Sequence, residues 1–212
     1  MTRKIDSNIL YRLIISFLLA TIVFLSIFFI ANSFSYLSEQ SIINKNDIIL
    51  NDLDKAKLRL DNFVCDNQLL ISSSEDLDDI GFKISILERR FGKKDSRVLE
   101  KKRLYSDLEL MHLDLIKKFN INCNSNFTTL LFFYSNEERF IDESENTAFI
   151  LSSFKSKNPS KIMIYSFDYD LDYDSVNELK LKYNISFVPS VLINEKDLIY
   201  LKNIMQLEKN EN

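Results

Sequence analysis

The chain of 212 residues contains no Trp and only two Gly and two Pro, so two of the main turn-forming residues are scarce. A many-stranded β fold needs frequent turns, so this composition favours long helices. One His and two Cys are too few for a typical zinc site, which takes four ligands. The formal net charge is −4 and no basic block follows the extreme N-terminus, which argues against a nucleic-acid partner.

What the sequence does contain is an apolar run near its N-terminus, residues 13–31, without a charged residue. As a helix, a run of this length spans roughly the 30 Å hydrocarbon core of a bilayer. Three basic residues precede the run, and no Lys or Arg occurs in residues 32–44. The positive-inside rule then predicts a single-pass plasma-membrane protein with residues 1–12 in the cytoplasm and the remainder extracytoplasmic.

Two other interpretations of the run are open. A cleaved signal peptide has a shorter apolar region of about 7–15 residues, followed by a small-residue cleavage site that residues 30–33 match poorly. A buried core helix is the second alternative, but an all-round apolar surface of this length argues against it. The prediction is therefore a retained anchor in contact with membrane lipid.

Residues 38–122 are predicted to form an extracytoplasmic helical region. Apolar residues recur at spacings of three, four or seven over residues 38–71, which is typical of an amphipathic helix. The serine-rich residues 72–76 are predicted to form a loop, followed by a second helix that ends near Gly92 and a third over residues 96–119. The residues expected to face inward are Leu77, Ile80, Ile84 and Leu87 in the second helix and Leu104, Leu108, Met111 and Leu115 in the third.

The apolar stripe over residues 42–70 also permits a coiled-coil homo-oligomer, because polar Asn46 and Asn67 fall within it as residues that would set the register. Packing against a neighbouring helix of the same chain explains the stripe equally well and is the preferred interpretation. The single histidine, His112, is predicted to be at the surface or half-buried rather than a ligand.

The two cysteines, Cys65 and Cys123, are expected in the first helix and just after the third. An even number of cysteines outside the cytoplasm usually indicates a disulfide framework. An antiparallel return of the third helix would bring its end near Cys65, so a disulfide is predicted. Two unrelated buried thiols and an exchange-active pair are the alternatives, although no setting that lowers a thiol pKa is visible.

From residue 127 onward the pattern changes to alternating strands and helices. A continuous apolar run over residues 127–134 predicts a strand covered on both faces. The predicted elements that follow are a helix over 141–156, a strand over 161–167, a helix opening with capping-box spacing at Ser175 and Glu178, and strands over 190–193 and 198–201. The predicted order is β-α-β-α-β-β with a short helical tail.

This order, together with the segment Asn184-Ile185-Ser186-Phe187-Val188-Pro189, resembles the thioredoxin-like superfamily over about residues 126–208. There, a helix and a short loop lead to an apolar residue, a cis-proline and the third core strand. The resemblance implies an α/β thioredoxin-like domain, residues 125–212, in which the residue before the proline pairs its backbone with an extended peptide. Val188 would be that residue, with Pro189 behind it and Tyr134 and Phe140 as apolar walls. Alternatively, Pro189 only begins a strand.

The sequence departs from the redox-active members of that superfamily. Their Cys-x-x-Cys pair lies where the first core strand enters its helix, and here those positions would be Ile141 and Ser144. No cysteine follows Cys123 in the chain. Dithiol exchange cannot occur without a thiolate, so the resemblance implies a scaffold that has lost its redox chemistry.

Alternating acids at Asp168, Asp170, Asp172 and Asp174 are similar to the start of a calcium-binding EF-hand loop. The Gly and Glu that this loop requires at its sixth and twelfth positions are missing. These acids are therefore predicted to form a solvated loop before a helix, and no metal or other cofactor is expected.

These observations predict a membrane-anchored protein, with no enzymatic activity, that binds or positions an unknown extracytoplasmic protein or peptide. A membrane-tethered thiol–disulfide oxidoreductase that uses Cys65 and Cys123 is the alternative from a different class. A structural scaffold that oligomerises through its helices is the third hypothesis.

Overall fold

The computed structural model describes residues 7–60, 64–159 and 161–208. The elements in chain order are α1 (Ser7–Leu60), α2 (Asn67–Phe91), α3 (Ser96–Asn122), β1 (Thr128–Tyr134), α4 (Ile141–Lys157), β2 (Ile162–Asp168), α5 (Asp174–Lys182), β3 (Ser190–Ile193), β4 (Asp197–Ile199) and α6 (Met205–Glu208). The chain divides into two compact units, Met1–Ile48 and Ile49–Asn212.

The first unit contains the apolar run. Within α1 the segment Tyr11–Ile30 is long and apolar enough to cross a membrane, and none of it is buried within the chain. The lack of burial excludes a core helix of a soluble domain, whereas a signal sequence near an N-terminus meets the same criteria of length and composition. Arg3 and Lys4, on which the predicted orientation partly depends, lie outside the described residues.

The second unit is built around a four-stranded sheet with the strand order β2-β1-β3-β4. β1 and β2 are parallel, β3 runs antiparallel to β1, and β4 runs antiparallel to β3. The β3–β4 hairpin turns at Asn194 and Glu195, which both have positive φ angles. The predicted order β-α-β-α-β-β with a helical tail is confirmed.

Helices cover both faces of this sheet. Successive side chains of a strand point to opposite faces, so each strand contributes residues to two cores. Leu131 and Phe133 of β1 belong to a core that also includes residues of α2, α3 and α5. Leu130 and Phe132 belong to a second core with residues of α4 and α6. Burial on both faces explains why the sequence of β1 is continuously apolar.

The outer edge of β2 is covered by α3. Glu109 of α3 accepts a hydrogen bond from the backbone N–H of Ser166 in β2, with an N···O distance of 2.7 Å. An edge strand presents unpaired N–H groups that can template aggregation. Glu109 pairs one of these N–H groups, and α3 belongs to the same compact unit as the sheet.

The predicted inward face of the second helix is confirmed, since Leu77, Ile80, Ile84 and Leu87 are all buried and the helix is capped by Gly92. In α3 the prediction is correct for Leu108 and Leu115, Met111 is half-buried, and it is wrong for Leu104, which is 39% exposed. The face of α3 that packs on the core carries polar residues such as Lys101, Lys102 and Glu109, which an apolar pattern cannot identify.

The prediction of one helix over residues 38–71 is wrong, because α1 ends at Leu60 and α2 begins at Asn67. Asp66 caps the new helix, and its carboxylate accepts a hydrogen bond from the N–H of Gln68 at 2.9 Å. Capping by Asp satisfies one of the unpaired N–H groups of the first turn. Cys65 consequently lies in the bend between the two helices rather than within a helix.

The predicted serine loop at residues 72–76 is also wrong, because this segment lies inside α2. The hydroxyl groups of Ser72 and Ser73 donate to the carbonyl groups three residues earlier, at 3.1 and 3.0 Å. These local bonds allow serine to be accommodated within a helix. The serine-rich composition predicted a loop, but these hydrogen bonds keep the serine hydroxyl groups paired within the helix.

The predicted capping box at Ser175 and Glu178 does not form. α5 begins one residue earlier, at Asp174, and its N-cap, Tyr173, makes no side-chain capping bond. The hydroxyl of Ser175 instead donates to the carboxylate of Asp107 in α3, at 2.7 Å. A tertiary contact thus replaces the local one that the spacing predicted.

Part of the apolar stripe over residues 42–70 packs within the chain. Leu53 and Ala56 are buried in the core of the second unit together with Leu70. The side chains of residues 31–50, which include Asn46, lie outside the described residues. Homo-oligomerisation through this stripe stays a prediction.

Candidate functional site

The carboxyl ends of β1 and β2 lie side by side, because the two strands are parallel and Tyr134 is paired with Asp168. The N–H of Tyr169 donates to the carbonyl of Tyr134 at 2.8 Å and continues this pairing past the strand end. In open α/β sheets, such carboxyl ends commonly form ligand sites. The loop that follows β1 begins here with Ser135.

Asp170 holds the loop that leads from β1 to α4. Its carboxylate accepts hydrogen bonds from the Ser135 hydroxyl and from the Asn136 N–H, both at 2.8 Å. The Ser135 N–H in turn donates to the hydroxyl of Ser144 at 3.2 Å. Serine hydroxyl groups and one carboxylate therefore fix the segment that joins β1 to α4.

A buried ion cluster lies directly behind this loop. The Lys102 ammonium group pairs with the carboxylate of Asp168 and, at 2.9 Å, with that of Glu88. The side-chain amide of Asn136 donates to the same Asp168 oxygen at 2.7 Å. Burial of the ammonium group lowers the pKa of Lys102, whereas the charges of the facing Tyr134, Asp168 and Glu88 raise it. The second effect is larger, so the pKa of Lys102 lies above its ordinary value.

The four alternating acids have different environments. Asp168 is only 4% exposed and belongs to the ion cluster, so the prediction of a solvated loop is wrong for it. Asp172 is exposed and accepts a hydrogen bond from Asn177, and Asp174 begins α5. In the described part of the chain, no group of three or more His, Cys, Asp or Glu side chains is arranged to hold a metal ion.

The Val188–Pro189 peptide bond is cis, the form that the resemblance implied for this bond. Pro189 is buried and Val188 is half-buried. β3 pairs Ser190 with Phe133 of β1, so the antiparallel register, continued by one residue, places Pro189 beside Tyr134. Within the described part of the chain, the Val188 backbone makes no hydrogen bond to another backbone group.

Two exposed aromatic side chains lie next to this segment. The rings of Phe187 and Tyr200 are in contact, with centroids 6.5 Å apart, and each side chain is more than a third exposed. Partial desolvation of the hydroxyl, and then a hydrogen bond to Glu143 in the first turn of α4, raise the pKa of Tyr200. Sequence reasoning missed this pair, although the position of Phe187 immediately before Val188 could have indicated it.

The two residues proposed as apolar walls have other contacts. Lys102 Nζ lies 5.2 Å from the centroid of the Tyr134 ring, which also contacts the Phe132 ring. Phe140 is half-buried as the N-cap residue of α4, and the guanidinium of Arg139 lies 4.5 Å from its ring centroid. Their role as walls of a binding edge stays a prediction.

Cys65 and Cys123 form a disulfide with a Cα–Cα distance of 5.7 Å, as predicted. Cys65 is exposed and Cys123 is half-buried. Asn120 ties the end of α3 to the start of β1 through two 2.9 Å hydrogen bonds with Phe127. The disulfide therefore lies toward the amino end of β1, whereas Val188 lies near its carboxyl end.

The histidine environment differs from the prediction. His112 is 1% exposed, so the assignment to the surface is wrong. Its Nδ1 lies 2.9 Å from the Tyr165 hydroxyl and its Nε2 lies 3.2 Å from the Ser74 hydroxyl. Both ring nitrogens thus have partners inside the protein, and burial lowers the pKa of His112 to about 4.

In sequence comparisons, no model of a known protein family matches the chain, and no curated protein is significantly similar to it.

Proposed function

We propose that this protein is a membrane-anchored binding module whose second unit includes a thioredoxin-like domain without redox chemistry. Its binding edge would be Val188 and Pro189, and its ligand an extended segment of an extracytoplasmic protein or peptide. The observation that carries the proposal is the Val188 backbone without a backbone partner in the described chain, next to the exposed rings of Phe187 and Tyr200.

The connectivity of the sheet supports the fold assignment. The elements β1, α4, β2, α5, β3 and β4 follow the β-α-β-α-β-β order of the superfamily. A parallel β1–β2 pair, two antiparallel strands and helices on both faces agree with the resemblance drawn from the sequence. Under this proposal, the segment before β3 would correspond to the edge at which thioredoxin-like proteins pair with extended peptides.

The residues at the start of α4 support a non-catalytic role. Ile141 begins the helix, and the hydroxyl of buried Ser144 accepts a hydrogen bond from the Ser135 N–H. Neither side chain provides a thiolate, which is the nucleophile of dithiol exchange. Main-chain pairing needs no such group, because an extended peptide binds through its own backbone N–H and C=O groups.

The membrane assignment rests on the first unit. The segment Tyr11–Ile30 meets the length and composition requirements of a span. The basic residues before this segment, and their absence immediately after it, support a cytoplasmic N-terminus and an extracytoplasmic second unit. The ligand would then be presented outside the cytoplasm.

One observation favours the second candidate function, thiol–disulfide exchange. Cys65 is exposed in the bend before α2, so an attacking thiolate could reach its sulfur. The two functions make different predictions for the full chain in lipid nanodiscs. With dithiothreitol present to convert the Cys65–Cys123 disulfide to the dithiol, a binding module should not accelerate the reduction of insulin disulfides by dithiothreitol. Acceleration that is lost in Cys65→Ser would assign the chain to exchange chemistry.

Amide NMR of the full chain in nanodiscs tests the binding edge. The chain has six valines, so ¹⁵N-valine labelling gives one signal for each of Val23, Val64, Val98, Val176, Val188 and Val191. A peptide selected from a random library against the full chain should shift the Val188 and Val191 signals. The Val98 and Val176 signals, from α3 and α5, should stay unchanged. Shifts at these two residues without a shift at Val188 would refute the edge as the binding site.

A further inference from the structure

Two adjoining cavities lie between the helical region and the edge of the sheet. One, the Glu109 cavity, has a volume of about 290 Å³, and the other, the Lys102 cavity, about 400 Å³. The residues that line both are Gly81, Tyr105, Phe132, Ala148 and Ser166. The cavities therefore form one continuous region, walled by α2, α3, α4, β1 and β2.

Glu109 is the unusual residue of this region. It is 1% exposed, and its Oε1 accepts the hydrogen bond from the Ser166 N–H. Its Oε2 is buried and has no hydrogen-bond partner among the described residues. A buried polar atom without a partner is rare and costs about 1–3 kcal/mol. A donor that enters the Glu109 cavity would satisfy this atom.

The charges around the two cavities favour a cation as that donor. Lys102 is paired with Glu88 and Asp168, and Lys155 is paired with Asp78 at 3.0 Å. The lining thus carries four carboxyl groups and two ammonium groups, and both ammonium groups have carboxylate partners. An anionic ligand would be repelled by this set of charges, whereas a cation would complement it.

The remaining walls are aromatic. Tyr105 and Phe132 line both cavities, and Tyr134 lines the Lys102 cavity. Aromatic faces attract cations through their quadrupole and also pack against apolar groups. The lining is therefore suited to a ligand that combines a positively charged nitrogen with a small apolar body.

We propose that the Glu109 cavity binds a small organic ammonium ion, whose N–H group donates to Glu109 Oε2 and whose apolar part packs against Phe132 and Tyr105. Burial raises the pKa of the Glu109 carboxyl well above its ordinary value. An adjacent ammonium favours the ionised carboxylate and lowers that pKa, so the two charges stabilise each other. Tyr134, a predicted wall of the Val188 edge, lines the adjoining Lys102 cavity but not the Glu109 cavity, and the proposed ammonium site does not depend on the proposed peptide binding.

Calorimetric titration of the full chain in nanodiscs tests the proposal with three probes of similar shape: benzylamine, benzyl alcohol and benzoate. Benzylamine should bind at least about tenfold more tightly than the neutral alcohol, because it alone supplies a charged donor, and benzoate should not bind. Glu109→Gln should weaken benzylamine binding by at least about tenfold. The matched control Glu178→Gln, at an exposed position of α5, should bind benzylamine like the wild type.

A second variant covers the case in which Glu109→Gln fails to fold. Ala148 lines both cavities from an exposed position of α4, so Ala148→Leu should fill the entrance without disturbing the core. It should abolish benzylamine binding, whereas Asn146→Leu, at an exposed position of the same helix, should not. Absence of benzylamine binding to the wild type, equal binding of benzyl alcohol, or binding that survives Ala148→Leu would overturn the proposal.

Discussion

Gly81 of α2 and Tyr105 of α3 approach so closely that a Cβ atom added at Gly81 would lie 2.7 Å from the tyrosine hydroxyl oxygen. That hydroxyl donates to the carbonyl of Leu77, one turn earlier on α2, at 3.2 Å. Glycine within a helix costs about 1 kcal/mol relative to alanine. One of the two glycines of the chain therefore occupies a position that helix propensity disfavours, and a larger residue there would require Tyr105 to shift.

Gly81→Ala should destabilise the protein by about 1–3 kcal/mol despite the better helix propensity of alanine, because the new methyl group overlaps the Tyr105 hydroxyl. Denaturant unfolding of the full chain in detergent measures this change. In a Tyr105→Phe background the closest atom is removed and the next, Cζ, lies 3.2 Å away. The cost of Gly81→Ala should then be smaller by about 1 kcal/mol or more, and equal costs in both backgrounds would contradict the steric explanation.

Replacing both cysteines by serine should lower the free energy of unfolding by about 4 kcal/mol, because the disulfide closes a loop with a sequence separation of 58 residues. Non-reducing denaturant unfolding measures the loss. Peptide affinity should be unchanged, since the disulfide lies toward the opposite end of β1 from Val188. An unchanged unfolding midpoint would show that the disulfide does not constrain the chain.

The buried His112 should make stability depend on pH. Its pKa is about 4 in the folded protein, against an ordinary value of 6.5. Between these values the unfolded chain binds more protons, so stability should decrease as pH falls from about 6.5 to about 4, by at most roughly 3 kcal/mol. The unfolding free energies of the wild type and His112→Gln should diverge above pH 4 and differ by a constant amount above about pH 7. Parallel curves throughout would contradict a neutral buried histidine.

The orientation of the chain should be visible by protease protection. If the basic residues before the apolar segment place the N-terminus in the cytoplasm, as proposed, protease added to intact spheroplasts should degrade the second unit. An epitope tag placed before residue 7 should stay protected until the membrane is permeabilised. Degradation of the tag with protection of the second unit would reverse the proposed topology.

Sequence patterns predicted the elements whose apolar residues recur locally. The continuous run of β1, the periodic face of α2 and the α/β order all follow from residues close together in the chain. The break at Asp66 was missed because the apolar spacing continues across it, although an Asp before a helix start is a usable capping signal. The serines of α2 predicted a loop that does not form, since their hydroxyl groups bond to the backbone of the helix itself.

The candidate sites were harder to predict from the sequence than the secondary structure, because their contacts join residues that are far apart in the chain. Lys102 and Asp168 are 66 residues apart, and Glu109 and Ser166 are 57 apart. Nothing in the local pattern of α3 distinguishes Lys102 or Glu109 from the solvent-exposed charges expected on an amphipathic helix. Val188 and Pro189 were identified only because the resemblance assigned a role to the residue before a proline.

The comparison of Phe187→Ala with Phe149→Ala tests whether the peptide binds at the Val188 edge. Phe187 adjoins Val188 and contacts Tyr200, whereas Phe149 is 72% exposed on α4 and serves as a control of the same residue type. Fluorescence anisotropy with the selected peptide and the full chain in nanodiscs gives the affinities. Phe187→Ala should weaken peptide binding by at least about tenfold, as expected for an aromatic contact at an interface. Phe149→Ala should leave the peptide affinity unchanged. Equal affinities of the Phe187→Ala and wild-type proteins would contradict binding at this edge.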